Sequence, residues 1–345
     1  MSLFSFLSRR FLPLGVIVGA ALVLSGASAA AKPVRVKLAT LAPKGTSFHL
    51  ILQEMGEKWK AAPDGGIQLT MFTDGSMGSE GDMVRRIRLG QLQAGLLTAY
   101  GIVEIEPEVG GFQNIPLAFR SLEEAAWVRE KLAPRLEKQI ADKGFIMLGW
   151  MDSGWWRIFS KKPLRTPDDV RNEKLNIGTD SPGMAKLAQL LGMQPVELVP
   201  TNILVSLQTG LITITPSPPI YALTGQFFQP APHMLELNWA PLVGGIVVSK
   251  KAWDEMTPAQ QEVVRASGAE AAAKITAKAR QEMAESVEAM KKRGLVVQTV
   301  EGELEKTWRA FFEEAQRQAR GTLVPEKTFD EIMTMLRDYR AQPGR

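Results

Sequence analysis

Residue types that carry catalysis or hold metals are scarce in this chain. It contains no cysteine, which excludes disulfides, thiol catalysis and cysteine-ligated zinc or iron–sulfur clusters. Its two histidines, His49 and His233, lie far apart in sequence, so no metal site is predicted. Gly78-Ser79-Glu80-Gly81 comes nearest to a nucleophile elbow, but Met77 stands where that motif needs its first glycine. The sequence also lacks a Walker loop and a Gly-x-Gly-x-x-Gly motif, so it predicts no catalytic residue and no cofactor.

One arginine and several aromatic side chains have chemistry that could hold a small molecule. Arg157, whose guanidinium can hold a carboxylate, follows Trp155 and Trp156. Alternate residues of a strand share a face, so Trp155 and Arg157 are expected to point together and Trp156 the opposite way. If Arg157 faces a binding cleft, Trp155 lines it. Further candidates stand near the ends of predicted elements: Thr98, Tyr100, Tyr221 and Trp239. The alternative for each aromatic residue is burial in a core.

The elements that must position these residues alternate between strand and helix. Val34, Val36 and Leu38 predict a strand, and the apolar spacing from Phe48 to Trp59 predicts a helix. Other strands are predicted at 67–71, 92–98, 155–161, 174–177, 211–215 and 242–249, and helices at 82–89 and 182–191. Strands separated by helices favour an α/β fold with a mostly parallel sheet. A length of 345 residues suggests two domains or one large domain.

One long helix is predicted at 257–293. Thr257 and Gln260 form a capping box, and Pro258 suits the first helical position. Gly268 is the weak point of the segment. About 36 residues at 1.5 Å each give roughly 54 Å, longer than one small domain. Because sustained heptads are lacking, we expect a bridge between two lobes rather than a coiled coil.

Residues 1–31 have the order of a secretory signal peptide. Arg9 and Arg10 precede an apolar run from Phe11 to Leu24, and small residues follow. The run is shorter than the ~20 residues that span a bilayer, and an uncleaved anchor is the alternative. The sequence therefore predicts an exported, periplasmic protein. Its net charge of +4 gives no reason to expect a nucleic-acid partner.

An ordered series of short segments runs through about residues 34 to 275. The segments are Gly75-Ser76-Met77-Gly78, Leu89-Gly90-Gln91-Leu92-Gln93-Ala94-Gly95, Ile115-Pro116-Leu117-Ala118-Phe119, Gly154-Trp155-Trp156-Arg157, Thr166-Pro167-Asp168-Asp169-Val170, Lys174-Leu175-Asn176-Ile177, Leu191-Gly192-Met193-Gln194-Pro195-Val196 and Ser206-Leu207-Gln208-Thr209-Gly210. In this order they resemble one family, the DctP-type solute-binding proteins of tripartite ATP-independent periplasmic (TRAP) transporters.

The resemblance implies a two-lobed periplasmic-binding-protein fold of type II-like, DctP form, with a long helix spanning both lobes. The expected boundaries are 32–153 plus 240–256 for lobe I, 154–239 plus 294–345 for lobe II, and 257–293 for the bridging helix. It further implies a receptor that closes on a small organic ligand, an organic acid or a more apolar solute, and delivers it to the membrane subunits of a TRAP permease. No enzymatic activity is implied.

The chain departs from the family pattern at its most informative position. Members usually hold a carboxylate with an arginine in the strand after the Thr-Pro segment, and Asn176 stands there in this chain. A second family arginine corresponds to Arg157. The usual Asp-Gly after Leu-Gln-Thr-Gly is replaced by Thr213-Ile214. We therefore expect a larger, less charged cleft than in dicarboxylate receptors, with Asn176 in its wall and any acidic group held by Arg157.

Two other functions stay open at this point. The first is a periplasmic carrier or sensor subunit for an apolar, lipid-like ligand that is not coupled to uptake. The second is a hydrolase or isomerase built on a receptor-like scaffold, although no sequence motif supports this alternative.

Overall fold

A computed structural model of the protein describes residues 32–179 and 182–342. The predicted signal peptide, residues 1–31, lies outside the described residues. The strands are β1 Val34–Thr40, β2 Ile67–Phe72, β3 Ala94–Thr98, β4 Phe145–Trp155, β5 Arg157–Ser160, β6 Lys174–Ile177, β7 Gln194–Glu197, β8 Ile214–Ser217, β9 His233–Glu236, β10 Pro241–Ser249 and β11 Val296–Thr299. The helices are α1 Ser47–Lys60, α2 Glu80–Arg88, α3 Ala99–Ile102, α4 Leu122–Asp142, α5 Pro182–Leu190, α6 Ile203–Thr209, α7 Pro219–Thr224, α8 Lys250–Asp254, α9 Pro258–Lys291, α10 Gly302–Ala319 and α11 Glu326–Arg340.

The strands form two sheets, one for each lobe of the predicted two-lobed α/β fold. Over the described ranges, the first sheet has the order β2-β1-β3-β10-β4 and the second the order β11-β9-β5-β8-β6-β7. The pairing was expected to be mostly parallel; five of the nine described strand pairs are parallel and four are antiparallel. β10 runs antiparallel to β3 and β4, and β5 runs antiparallel to β8 and β9, whereas the other pairs are parallel. The sheets are mixed because strands next to the crossings between lobes run against their neighbours.

The chain crosses between the sheets beside Trp156 and again at residues 237–240. These two crossings lie side by side, since the Trp156 backbone N–H donates to the Ala240 carbonyl oxygen at 3.0 Å. Just before the first crossing, Gly154 has a φ of +99°, a backbone conformation that residues with a Cβ atom rarely adopt. The backbone therefore changes direction between β4 and β5 instead of continuing as one straight strand.

The long helix α9 begins and ends within two residues of the predicted bounds, with the Thr257–Gln260 capping box in place. From Val264 to Met283 its buried residues belong to the core of the first lobe. Near its end, Met290 packs in a core with Phe159 of β5. The helix therefore spans both lobes, as predicted.

Glycine lets α9 approach the first sheet closely. A Cβ added to Gly149 of β4 would lie 2.8 Å from the Ala272 Cβ, and one added to Gly268 would lie 2.6 Å from the Leu148 Cβ. Glycine at position 268 weakens the helix locally but is required for α9 to pack against Leu148.

The C-terminal helix α11 packs on the first lobe. Ile332 and Leu336 are fully buried in the same core as Val128 and Leu132 of α4. Residues 326–340, which were expected to belong to lobe II, thus contact elements expected in lobe I. The lobe boundaries themselves stay a prediction.

Candidate functional site

A cavity of about 660 Å³ is lined by residues from both lobes. The first lobe contributes the loop after β1, one side of α2 along its length, the end of β3 and α3. From the second lobe come β6, β8, α7 and α10. Residues of its wall include Leu41, Asp74, Glu80, Arg85, Arg88, Thr98, Tyr100, Glu104, Trp156, Ile158, Asn176, Ile214, Pro216, Tyr221, Trp239, Trp308 and Phe312. The cavity is a cleft between two independently built sheets, and most of its wall is apolar or aromatic.

Five of the seven residues predicted for the site lie in this wall, and two do not. The five are Thr98, Tyr100, Asn176, Tyr221 and Trp239. Trp155 instead packs against the core of the first lobe. Trp156, which was expected to point away from the cleft, lies in the cavity wall in place of Trp155. Strand alternation fails here because Trp155 ends β4 of one sheet and Arg157 begins β5 of the other. Gly154, a glycine inside an apparent strand, was the available signal for such a break.

Arg157 lies outside the cavity wall and binds the neighbouring crossing. Its Nη1 donates to the Asn238 Oδ1 at 2.6 Å and to the Leu237 carbonyl oxygen at 3.2 Å. Burial lowers the pKa of Arg157, against the opposing effect of the Glu236 charge. The guanidinium thus joins the two crossings between lobes. Ligand binding by Arg157 stays a prediction, without support from its position.

Asn176 occupies the wall on β6, as expected. Its Nδ2 donates to the Thr215 Oγ1 at 3.1 Å. Its Oδ1 is enclosed without a hydrogen-bond partner among the described residues. A neutral amide therefore stands where related receptors are expected to have an arginine.

Aromatic side chains form a joined wall around Tyr100. The Tyr100 and Trp156 rings meet edge to face, with centroids 5.6 Å apart. Burial raises the pKa of Tyr100, although a hydrogen bond with Trp239 acts in the opposite direction. These phenol and indole groups are therefore neutral at physiological pH and can offer hydrogen bonds and ring faces, but no charge.

Glu80 is one of the wall residues that sequence reasoning missed. Ser79 caps α2 and forms a capping box with Asp82, which places Glu80 in the first turn and 7% exposed. The Thr98 backbone N–H donates to the Glu80 Oε1 at 2.7 Å and the Thr98 hydroxyl to the Oε2 at 2.5 Å. Burial raises the pKa of Glu80 despite these hydrogen bonds and one from Gly101. Glutamate side chains in the first turn of a helix are usually exposed to solvent, so the residues around Glu80 gave no indication that its side chain is buried.

The two arginines of the wall are engaged elsewhere. Arg85 forms an ion pair with Asp82, and Arg88 Nη2 donates to the Glu104 carbonyl oxygen at 2.5 Å. Both lie on α2, on the first-lobe side of the cavity. The cations nearest the cavity are therefore not positioned as a preformed clamp for a carboxylate.

Within residues 32–179 and 182–342, no group of three or more His, Asp or Glu side chains could hold a metal ion. In that same part of the chain, no helix has the length and apolar character needed to cross a bilayer.

The sequence of this chain matches a known family over most of its length. Residues 38–321 match DctP, bacterial extracellular solute-binding protein, family 7. The chain belongs to this DctP family. Its α/β fold with two sheets and a spanning helix is therefore the two-lobed fold predicted, and solute binding is its function.

Named relatives agree with membership of the DctP family. The C4-dicarboxylate-binding periplasmic protein DctP of Rhodobacter capsulatus is 25% identical over 298 residues, which cover 84% of this chain and 86% of that protein. A TRAP periplasmic solute binding protein from Pseudomonas putida F1, solved with bound D-glucuronate, has a TM-score of 0.78 and 24% identity and covers 90% of this chain and 98% of its own. The sugar acid binding protein DctPAm from Advenella mimigardefordensis strain DPN7T, in complex with galactonate, has a TM-score of 0.82 and 17% identity, covering 89% and 99%.

Proposed function

We propose that this chain is the periplasmic receptor of a TRAP transporter. It is exported by means of residues 1–31, encloses a small organic solute between its lobes and delivers the solute to the membrane subunits of its permease. The single observation that carries this proposal is the cavity of about 660 Å³ whose wall comes from both sheets. Closure of two lobes on a solute requires such a cleft, and the ligand biases closure by preferring the closed form.

The wall favours a solute with an apolar body over a small dicarboxylate. Relatives are named for acids, namely a C4-dicarboxylate, D-glucuronate and galactonate. In this chain, Asn176 replaces the arginine expected from the family pattern, and Arg157 is bonded at the crossings. Loss of a bidentate arginine removes charge-assisted bonds that are worth about 1.5–3 kcal/mol each. Affinity must therefore come mainly from burial of apolar surface against residues such as Ile214 and Phe312.

The test is native mass spectrometry of protein gently isolated from the periplasm. We expect one bound organic molecule per chain, released on unfolding. Its return to the emptied protein should make the molecule more compact in small-angle X-ray scattering. A bound molecule that is chemically converted, or that leaves the scattering profile unchanged, would contradict the proposal.

A matched pair of substitutions locates the solute. Thr224 and Thr209 are both exposed, and Thr224 lines the cavity whereas Thr209, on α6, does not. Both hydroxyls donate to the carbonyl oxygen four residues earlier, at 2.8 and 2.9 Å. Thr224→Trp should fill part of the cavity and abolish retention of the solute. Thr209→Trp should retain it. Equal retention by both variants would place the solute elsewhere.

A further inference from the structure

One buried acid of the cleft forms no ion pair with any residue in the part of the chain that the structure describes. Glu80 lies in the cavity wall and is 7% exposed. Both of its carboxylate oxygens accept hydrogen bonds from Thr98, at 2.7 and 2.5 Å. Its place in the first turn of the nine-residue helix α2 further favours negative charge, because the helix N-terminus is electropositive.

The cations around the cleft serve other groups. Arg85 pairs with Asp82, Arg88 donates to the Glu104 carbonyl oxygen, and Arg157 binds the crossing at Asn238. Among the described residues, no lysine or arginine forms an ion pair with Glu80. A buried carboxyl group without a cation is costly, and its pKa is raised here by burial. In the described part of the free protein, Glu80 thus has hydrogen-bond donors but no ion-pair partner at the wall of the ligand cavity.

The surroundings of Glu80 suit a cation with an apolar body. Tyr100 and Tyr221 are near enough for the Glu80 charge to raise the pKa of both phenols. Together with Trp156, they offer ring faces and edges to a solute beside the carboxylate. On the opposite lobe, Asn176 contributes an amide oxygen without a partner among the described residues, an acceptor rather than a positive charge.

We propose that Glu80 is the polar anchor of the cleft and that the solute carries a protonated amine. This inference rests on the proposed receptor function and names the class of its ligand. The ammonium group supplies the cation that Glu80 lacks, and the two remain paired in a cavity from which closure expels water. A simple carboxylate would meet the charge of Glu80 with no free arginine to offset it.

Three probes that share one apolar body test this inference: 3-phenylpropylamine, 3-phenylpropanamide and 3-phenylpropanoate. Binding is followed by the fluorescence of the tryptophans in the wall, Trp156, Trp239 and Trp308. We expect the amine to bind the wild-type chain at least about tenfold more tightly than the propanoate, the effect of one buried ion pair. Tighter binding of the propanoate, or binding of none of the three, overturns the inference.

Variants assign the preference to a residue. Glu80→Gln should weaken amine binding by about tenfold or more and leave amide binding within about threefold of wild type. Glu80→Asp should keep part of the preference. Glu57→Gln is the matched control, because it removes the same charge from an exposed residue of α1 in the first lobe, outside the cavity wall, and should change neither affinity. The wild-type comparison decides the question if a variant fails to fold.

These outcomes separate the inference from the proposed function. If the propanoate binds tightly and makes the protein more compact, the proposed receptor function stands, and the proposal that the solute is an amine is refuted. An unchanged amine preference in Glu80→Gln would also overturn the role of Glu80. The fate of the co-purified solute in Thr224→Trp concerns the receptor function alone.

Discussion

Replacement of Arg157 by methionine tests whether this residue holds the lobes or the ligand. The change keeps an unbranched apolar stem and removes the guanidinium. The free energy of unfolding should fall, because the Asn238 Oδ1 and the Leu237 carbonyl oxygen lose their donor at 2.6 and 3.2 Å. Solute affinity should hardly change, because Arg157 lies outside the cavity wall.

The expected loss follows from the two hydrogen bonds. A hydrogen bond from a charged donor contributes about 1.5–3 kcal/mol, and the longer contact lies at the weak end of the range. Relief of the desolvated charge offsets part of the sum. We therefore expect a decrease of about 2 kcal/mol in the free energy of unfolding. The change in solute dissociation constant should stay within about threefold.

Urea unfolding followed by tryptophan fluorescence measures the stability, and calorimetric titration of the co-purified solute measures the affinity. The matched control is Arg171→Met in the same lobe. Arg171 pairs with Asp168 at 2.9 Å, but both side chains are exposed. Its loss should cost about 0.5 kcal/mol or less.

The alternative role gives the opposite pattern. If Arg157 binds an acidic ligand directly, the methionine variant should keep its stability and lose an acidic solute almost completely. That result would refute the assignment of Arg157 to the crossings and restore the expectation drawn from the family pattern.

Three further changes probe other parts of the molecule. Gly268→Ala should lower the free energy of unfolding by about 1–3 kcal/mol, because the new Cβ would clash with Leu148. This loss should outweigh the higher helix propensity of alanine. Urea titration measures the change, and a stabilised variant would contradict this packing. Hydrogen bonds from Arg340 and Arg120 overcome the effect of burial and lower the pKa of Glu124 below its ordinary value of 4.5. The ionised form therefore stabilises the fold above that pH, and the stability gap between wild type and Glu124→Gln should close as the pH falls through the folded pKa; a gap independent of pH would argue against the ion pair. Asn176→Arg should tighten succinate binding by about a hundredfold in calorimetry, and no gain would mean that position 176 does not face the ligand.

Local sequence signals predicted about half of the described elements and missed the long helices α4, α10 and α11. The start of α9 follows from Thr257, Pro258 and Gln260, whose capping groups lie within one helical turn. The apolar alternation of β1 and the helical spacing of α1 likewise specify their own bounds to within a residue or two. Ordered family segments added the two-lobed arrangement, which periodicity alone does not give.

The site depended on partners that local sequence does not reveal. Five of the seven predicted residues lie in the cavity wall, because ends of strands and helices gather at the cleft. Trp155 and Trp156 exchanged their expected places because the chain changes sheets between β4 and β5. Glu80 precedes the predicted helix 82–89 and was not predicted for the site, because its hydrogen bonds come from Thr98, 18 residues later.

The amino-acid sequence by itself therefore determined the family, the export signal as an expectation, the absence of cysteine chemistry and the elements with local signals. Tertiary structure alone decided strand direction, the packing of α11 on the first lobe and the partner of Arg157. The physical reason is the sequence separation of the interacting residues. Helix caps and hydrophobic periodicities act over a few residues, whereas the tertiary contacts join distant positions. The bond from Arg157 to Asn238 spans 81 positions and that from Arg340 to Glu124 spans 216.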